Sequence, residues 1–151
     1  MTRLSLDTNI LVYAVDTTHQ PKHDRASDLI VQAAQTDSVL TQQVIGEFLN
    51  VSRKFTAKLH PFLRETAERY TRTFPVAQTL PAFLLPAFDR AARFKLQYWD
   101  ALIVTVCIAN GVTHLFSEDL QDGQKIEGLT VINPFLPANQ ATLDALLGEP
   151  G

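Results

Sequence analysis

Short apolar runs alternate along this chain with longer stretches whose apolar positions recur every three to four residues. The run Arg3-Leu4-Ser5-Leu6 has strand character and meets an acid, Asp7, and a helical pattern begins directly behind it. Pro21 opens a second helix, a favourable place for proline, and Ala26, Leu29, Ile30, Ala33 and Ala34 carry its periodicity as far as the polar break Thr36-Asp37-Ser38. Val39-Leu40 predicts a second strand, and Thr41 predicts the cap of a helix over Gln42 to Phe55 with Val44, Phe48, Val51 and Phe55 as its inner stripe. His60-Pro61 starts a helix to about Arg72, and Phe74 to Ala77 reads as an edge strand because Pro75 is tolerated there. From Pro81 to about Lys95 the pattern predicts a helix that buries Phe83, Leu84, Ala87, Phe88, Ala91 and Phe94. The helix that begins at Asp100 is apolar all round and must be buried on most sides, as far as the stop at Asn110-Gly111. Thr113 to Phe116 and Leu129 to Ile132 complete the set of strands. Five strands separated mostly by helices imply a parallel sheet with helices on both faces and right-handed crossovers: an α/β chain folded as a three-layer α/β/α sandwich.

Composition narrows this picture. A chain of 151 residues, 46% hydrophobic and 19% charged, has enough apolar surface for one compact domain and is not disordered. The net charge of -3 speaks against a general polyanion binder, yet Arg53, Lys54, Lys58, Arg64, Arg69 and Arg72 concentrate six of the thirteen basic residues in one stretch. That stretch reads either as a solvated helix surface or as a phosphate-contacting one. Cys107 has no cysteine to pair with and sits in an apolar helix pattern, which predicts a small core residue in a reducing compartment. The apolar run between Asp7 and Asp16 is too short for a signal peptide, and Ala101 to Ala109 falls short of the roughly 20 residues that span a bilayer. The expected location is the cytoplasm, away from membrane.

Candidate chemistry lies in the acids. Asp7 stands at the carboxyl end of the first strand, where open α/β sheets place their ligands, although an Asp there is also a good helix cap. Glu47 falls on or beside the buried stripe of its helix, where a carboxylate is costly without a partner; it reads as a functional acid or as a stripe-edge residue pairing with Arg53 or Lys54. Asp100 opens the apolar helix, where the helix dipole alone favours it. Asp119 follows the strand Thr113 to Phe116 and repeats the placement of Asp7, with Asp122 at the margin in an Asp-Gly turn. If Asp7, Glu47, Asp100 and Asp119 converge, they repel one another unless protons or a cation lie between them. A donor set of oxygens without Cys or His suits Mg²⁺ or Mn²⁺ rather than zinc, and such an ion serves phosphodiester hydrolysis. His19, His23, His60 and His114 have no ligand spacing, and the chain has neither a Ser-His or Cys-His nucleophile arrangement nor a glycine-rich phosphate loop.

Four segments resemble the motifs of the PIN-domain family in its VapC-like toxin branch: Leu6-Asp7-Thr8-Asn9-Ile10-Leu11, Val44-Ile45-Gly46-Glu47-Phe48, Tyr98-Trp99-Asp100-Ala101-Leu102-Ile103 and Phe116-Ser117-Glu118-Asp119-Leu120. The resemblance spans Leu4 to Phe135. It implies a Mg²⁺- or Mn²⁺-dependent ribonuclease on a five-stranded parallel sheet of order 3-2-1-4-5, with Asp7, Glu47, Asp100 and Asp119 as acidic metal ligands. It further implies Asn9 as the polar residue of the first motif, Ser117 as the hydroxyl beside the fourth, and Asp122 as an outer ligand. A homodimer, an RNA substrate and a cognate antitoxin protein belong to the same expectation. Residues 1–136 are then the nuclease domain, and 137–151 a tail in which Leu143, Leu146 and Leu147 share one helical face, a short docking helix. Two other readings use the same residues: an interaction module that binds a metal or partner without cleaving, and a housekeeping RNA or DNA nuclease.

Overall fold

The computed structural model describes residues 1–148, so that 149–151, the end of the expected tail, lie outside the described residues. In chain order the elements are β1 (Leu4–Leu6), α1 (Thr8–Tyr13), α2 (Gln20–Ala34), β2 (Leu40–Thr41), α3 (Gln42–Ser52), α4 (His60–Thr73), β3 (Val76–Ala77), α5 (Leu84–Phe94), α6 (Tyr98–Ala109), β4 (His114–Phe116), β5 (Lys125–Ile126), β6 (Leu129–Ile132) and α7 (Gln140–Leu147). Single 3₁₀ turns precede α4, α5 and α7.

Local chemistry accounts for many of the boundaries. Asp7 caps α1 by accepting from the Thr8 N–H, and Thr41 caps α3 by accepting from the Val44 N–H. A proline lies in the first turn of α2 and of α4, where its missing N–H is not needed. Gly111, at φ 77°, turns the chain out of α6 into the approach to β4, a conformation that glycine adopts without steric cost. Helix α6 begins two residues ahead of Asp100, which therefore lies inside its first turn and not before it.

The strands are short and buried on both faces, as parallel strands covered by helices must be. The hydrogen-bonded order of the larger sheet is β1-β4-β6-β5, with β1, β4 and β6 parallel and β5 antiparallel to β6. Strands β2 and β3 form a separate parallel pair, joined to β1 through a bridge from Leu4 to Ser38 and a bond from the Val39 N–H to the Leu4 carbonyl of 2.9 Å. The expected parallel neighbours 3-2, 1-4 and 4-5 are present as β3-β2, β1-β4 and β4-β6, while a single bridge stands between β1 and β2 in place of a ladder and β5 is added at the far edge. Two features escaped the periodicity: the two-residue β5, which is too short for any alternation to register, and the break between β1 and β2.

The main core gathers Leu4, Leu6, Ile10, Leu11, Phe48 and Phe116 between the sheet and helices α1 to α4. In α6 every residue from Ala101 to Cys107 is buried, matching its all-round apolar pattern, and burial pushes the Cys107 thiol up to about 12. Helix α5 departs from expectation. Only Ala87 is fully buried against Ala101 and Leu102, while Leu84, Leu85 and Phe88 are 43%, 76% and 66% exposed. An amphipathic pattern shows that a face is apolar, but what covers it depends on neighbours: α5 packs closely on α6 through Ala87 and Ala91, and that packing leaves Leu84, Leu85 and Phe88 on its outer side. The stripe of α3 is likewise rotated, running through Val44, Ile45, Phe48 and Ser52.

Beyond Phe135 the chain packs α7 onto the domain, with Leu143 1% exposed within the main core and Leu146 and Leu147 against it. Truncation of so buried a leucine leaves a cavity, so Leu143→Ala is expected to lower the unfolding free energy by roughly 2–4 kcal/mol in urea denaturation. An unchanged midpoint would show that α7 adds nothing to the cooperative unit.

Candidate metal centre

The carboxyl ends of β1 and β4 are adjacent, Leu6 pairing with Phe116, so the residues that follow them, Asp7 and Ser117, emerge side by side. Ser117 is fully buried and its Oγ donates to Asp7 Oδ2 at 2.6 Å, while Asp7 Oδ1 accepts from the Thr8 N–H at 2.8 Å. The same Ser117 Oγ accepts from the Asp119 and Leu120 N–H groups at 3.2 and 3.3 Å, which turns the chain and brings Asp119 back over the strand end. Asn9 closes the loop: its Nδ2 donates to Asp119 Oδ2 at 3.1 Å, and its Oδ1 accepts from the Glu118 N–H at 3.4 Å.

Glu47 reaches the same edge from α3. Its Oε2 accepts from Thr8 Oγ1 at 3.2 Å and its Oε1 from Gln43 Nε2 at 2.6 Å, so it is held by neutral donors and not by Arg53 or Lys54. Gln43 Nε2 also donates to the Trp99 carbonyl at 2.9 Å, which fastens α3 to the first turn of α6 where Asp100 stands. Asp100 lines one hollow with Asp119 and, on its other side, a cleft with Glu47. Asp122 is turned elsewhere, its Oδ1 accepting from the Asn133 N–H at 2.8 Å and from Asn139 Nδ2 at 2.9 Å at the root of the tail.

The four acids feel one another. Burial pushes the Asp7 carboxyl up to about 6 against the pull of its bonds to Ser117 and Thr8, and the charges of Asp100 and Asp119 push the same way. Asp100 is raised by burial first, then by Asp119 and Glu47. None of the four takes part in an ion pair among the described residues. Among the described residues no three of them stand close enough to grip an ion as they are. Carboxylates with two amide donors, two hydroxyls and no thiol or imidazole fit a hard divalent cation of the Mg²⁺ or Mn²⁺ type.

Thr8 and Gln43 were not singled out in the sequence. Gln43 could have been, because it lies four residues before Glu47 on one helix face, a spacing that lets an amide reach a carboxylate. The basic stretch is on the surface, where Arg64 and Arg72 flank Glu68 one helical turn away on either side. Among the described residues no helix is long and apolar enough to cross a membrane.

The fold is α/β, with acids gathered at the carboxyl edge of its parallel strands. The family model that matches this chain is the PIN domain, over residues 4–122, and the chain belongs to that family. No curated protein matches it in sequence. Among solved structures it is similar to a toxin-antitoxin complex from Klebsiella pneumoniae, at a TM-score of 0.64 and 17% identity over 87% of this chain and 97% of that one. It is similar to Mycobacterium tuberculosis VapC20, a sarcin-ricin loop cleaving toxin, at 0.62 and 16% over 77% and 89%. It is similar also to VapBC2 from Rickettsia felis bound to a promoter DNA fragment, at 0.61 and 16% over 86% and 97%. These likenesses are of fold.

A carboxyl raised from 3.8 to about 6 stabilises the folded state below its unfolded pKa and loses that contribution as the pH rises through the folded value. In metal-free protein, therefore, Asp7→Asn is expected to raise stability relative to the parent by on the order of 2–3 kcal/mol more at pH 7.5 than at pH 4. Thermal melts in chelator at the two pH values measure it. A pH-independent difference would mean that Asp7 is not charged against its surroundings.

Proposed function

We propose that this PIN-domain protein is a divalent-metal-dependent endoribonuclease, the toxin of a toxin-antitoxin pair. The observation that carries the reading is the approach, from four separate places in the chain, of Asp7, Glu47, Asp100 and Asp119 to one edge of the sheet, with no cationic partner among the described residues. A cluster of that kind is unfavourable by itself and becomes favourable around a cation. Asp7, Glu47, Asp100 and Asp119 would hold Mg²⁺ or Mn²⁺, which supplies Lewis-acid stabilisation of a phosphoryl group and a more acidic water.

The residues around the acids have their own tasks. Ser117 and the Thr8 N–H hold both oxygens of Asp7, Asn9 aims Asp119, and Thr8 with Gln43 aims Glu47. Because all of these donors are neutral, they orient the carboxylates and leave the negative potential that attracts a cation undiminished. Asp122 is left outside this set, since its Oδ1 is committed to Asn133 and Asn139.

RNA as substrate follows the toxin-like fold, whose M. tuberculosis relative is described as cleaving the sarcin-ricin loop. An antitoxin partner follows the two toxin-antitoxin assemblies among the similar structures, and an apolar groove between α2 and α4, with Ile30, Val31, Phe62 and Phe74 in its wall, offers a protein segment a seat. A homodimer is supported by the uncovered Leu84, Leu85 and Phe88 of α5. The location proposed is the cytoplasm, where RNA is at hand.

Purified chain with end-labelled structured RNA is expected to cleave in Mg²⁺ or Mn²⁺, to stop in excess chelator and to resume when metal is restored. Asp7→Asn should slow cleavage by about a hundredfold or more, the loss that follows when a metal contact worth several kcal/mol is removed. Cleavage by that variant at the parent rate, or in chelator, overturns the proposal. Sedimentation tests the dimer separately: Leu85→Glu with Phe88→Glu is expected to yield monomer, and a monomeric parent refutes it.

A further inference from the structure

Beside the acids lies a cleft of about 740 Å³ that their chemistry does not use, between α3, the chain beyond β3 and the start of α6. Glu47 and Asp100 line it, and the rest of the wall includes Gln42, Gln43, Asn50, Gln97, Thr79 and Trp99. No Lys, Arg or His lines it. Such a wall has little to offer a phosphate, which seeks cations and backbone N–H groups, but side-chain amides match the edge of an uncharged heteroaromatic ring.

Three further observations point to a ring as occupant. Trp99 is 65% exposed, and its aromatic neighbour Tyr98 meets it edge to face at 5.2 Å and 77°. Two polar atoms of residues that line it, Gln43 Oε1 and Thr79 Oγ1, are buried without a hydrogen-bond partner among the described residues, and each calls for an explanation. Gly46, in the middle of α3, lines the same cleft, and a Cβ added to it would meet nothing within 4 Å. Packing therefore gives no reason for a residue that weakens a helix, whereas a larger side chain there would occupy the cleft.

We propose that this cleft is a base-binding subsite, in which an unpaired nucleobase stacks on Trp99 and presents its polar edge to the amides while its phosphate lies against the acids. The proposal rests on the ribonuclease reading for its ligand class. Trp99 precedes Asp100 directly, and the Gln43 amide binds both Glu47 and the Trp99 carbonyl, so the backbone that carries the stacking ring is tied to the acids. The subsite makes Trp99 a specificity-determining residue and Gln43 a positioning residue that joins it to the acids.

Trp99 is the one tryptophan of the chain and reports on its own site. In full-length Asp7→Asn protein with Mg²⁺, single-stranded hexaribonucleotides are expected to quench its emission saturably, and an abasic oligomer of equal charge is not. Trp99→Ala should weaken binding of the labelled hexamers about tenfold, Trp99→Phe by less, as base stacking on an aromatic ring implies. Gly46→Leu should abolish the binding while leaving the melting temperature unchanged or higher, which separates a filled cleft from a misfolded chain. In the active chain Trp99→Ala should raise KM about tenfold and leave kcat within about threefold. Equal quenching by the abasic oligomer, or binding and KM unmoved by Trp99→Ala, overturns the subsite while metal-dependent cleavage by the parent leaves the nuclease reading standing. Conversion of a dimer into monomer by Trp99→Ala also overturns it, because the ring then belongs to a protein interface. Saturable, base-dependent quenching in a chain that cleaves no RNA supports the subsite and removes the nuclease reading alone.

Discussion

The burial of a carboxylate, Asp7, at the edge of the sheet, with the like charges of Asp100 and Asp119 adding to its cost, is the constraint that the rest of the structure answers. Asp7 is 4% exposed at the end of β1, and its charge is opposed by burial more than by any neighbour. The fold restrains the group with directed bonds in place of a counter-charge. Hydrogen bonds to charged groups are worth roughly 1.5–3 kcal/mol each, and Asp7 accepts one on each oxygen. Ser117 does more than donate, since the two amides that it accepts shape the turn carrying Asp119. A single lysine in this place would relieve the repulsion and occupy the site.

Holding the acids with neutral donors has a structural consequence. Every donor comes from an element different from that of the acid it serves, apart from the Thr8 N–H and the Gln43 amide. Thr8 of α1 reaches Glu47 of α3, and Asn9 of α1 reaches Asp119 beyond β4. The short helix α1 is thereby the hub between the two halves of the site, and its placement follows from the pairing of β1 with β4 and from Ile10 and Leu11, both fully buried. The acid edge, the apolar groove of α2 and α4 and the bare face of α5 involve different residues.

Much of this was legible in the residues. The buried helix α6, the cap at Thr41, the acids at two strand ends and the PIN-domain motifs follow from patterns confined to a few neighbouring positions, where sequence distance and spatial distance coincide. The bare face of α5 and the split into two ladders were not, because both depend on which elements end up side by side. Asp122 shows the same limit: an acid in an Asp-Gly turn looks the same whether it faces a metal or, as here, the amides at the root of the tail. Trp99 lay within a motif and could have been taken for core, as most aromatic residues in apolar stretches are.

By itself the sequence determined which segments are helix and, apart from β5, which are strand, that the chain is an α/β member of the PIN-domain family, and which acids are candidates. Those are consequences of backbone periodicity and of short-range chemistry. Tertiary structure alone decided that Glu47 is held by Thr8 and not by a basic side chain, that Ser117 locks Asp7, and that amides and an indole surround an open cleft next to the acids. Contacts between residues separated by 39 to 110 positions leave no periodic trace along a chain; they exist only once β1 lies against β4 and α3 lies against α1.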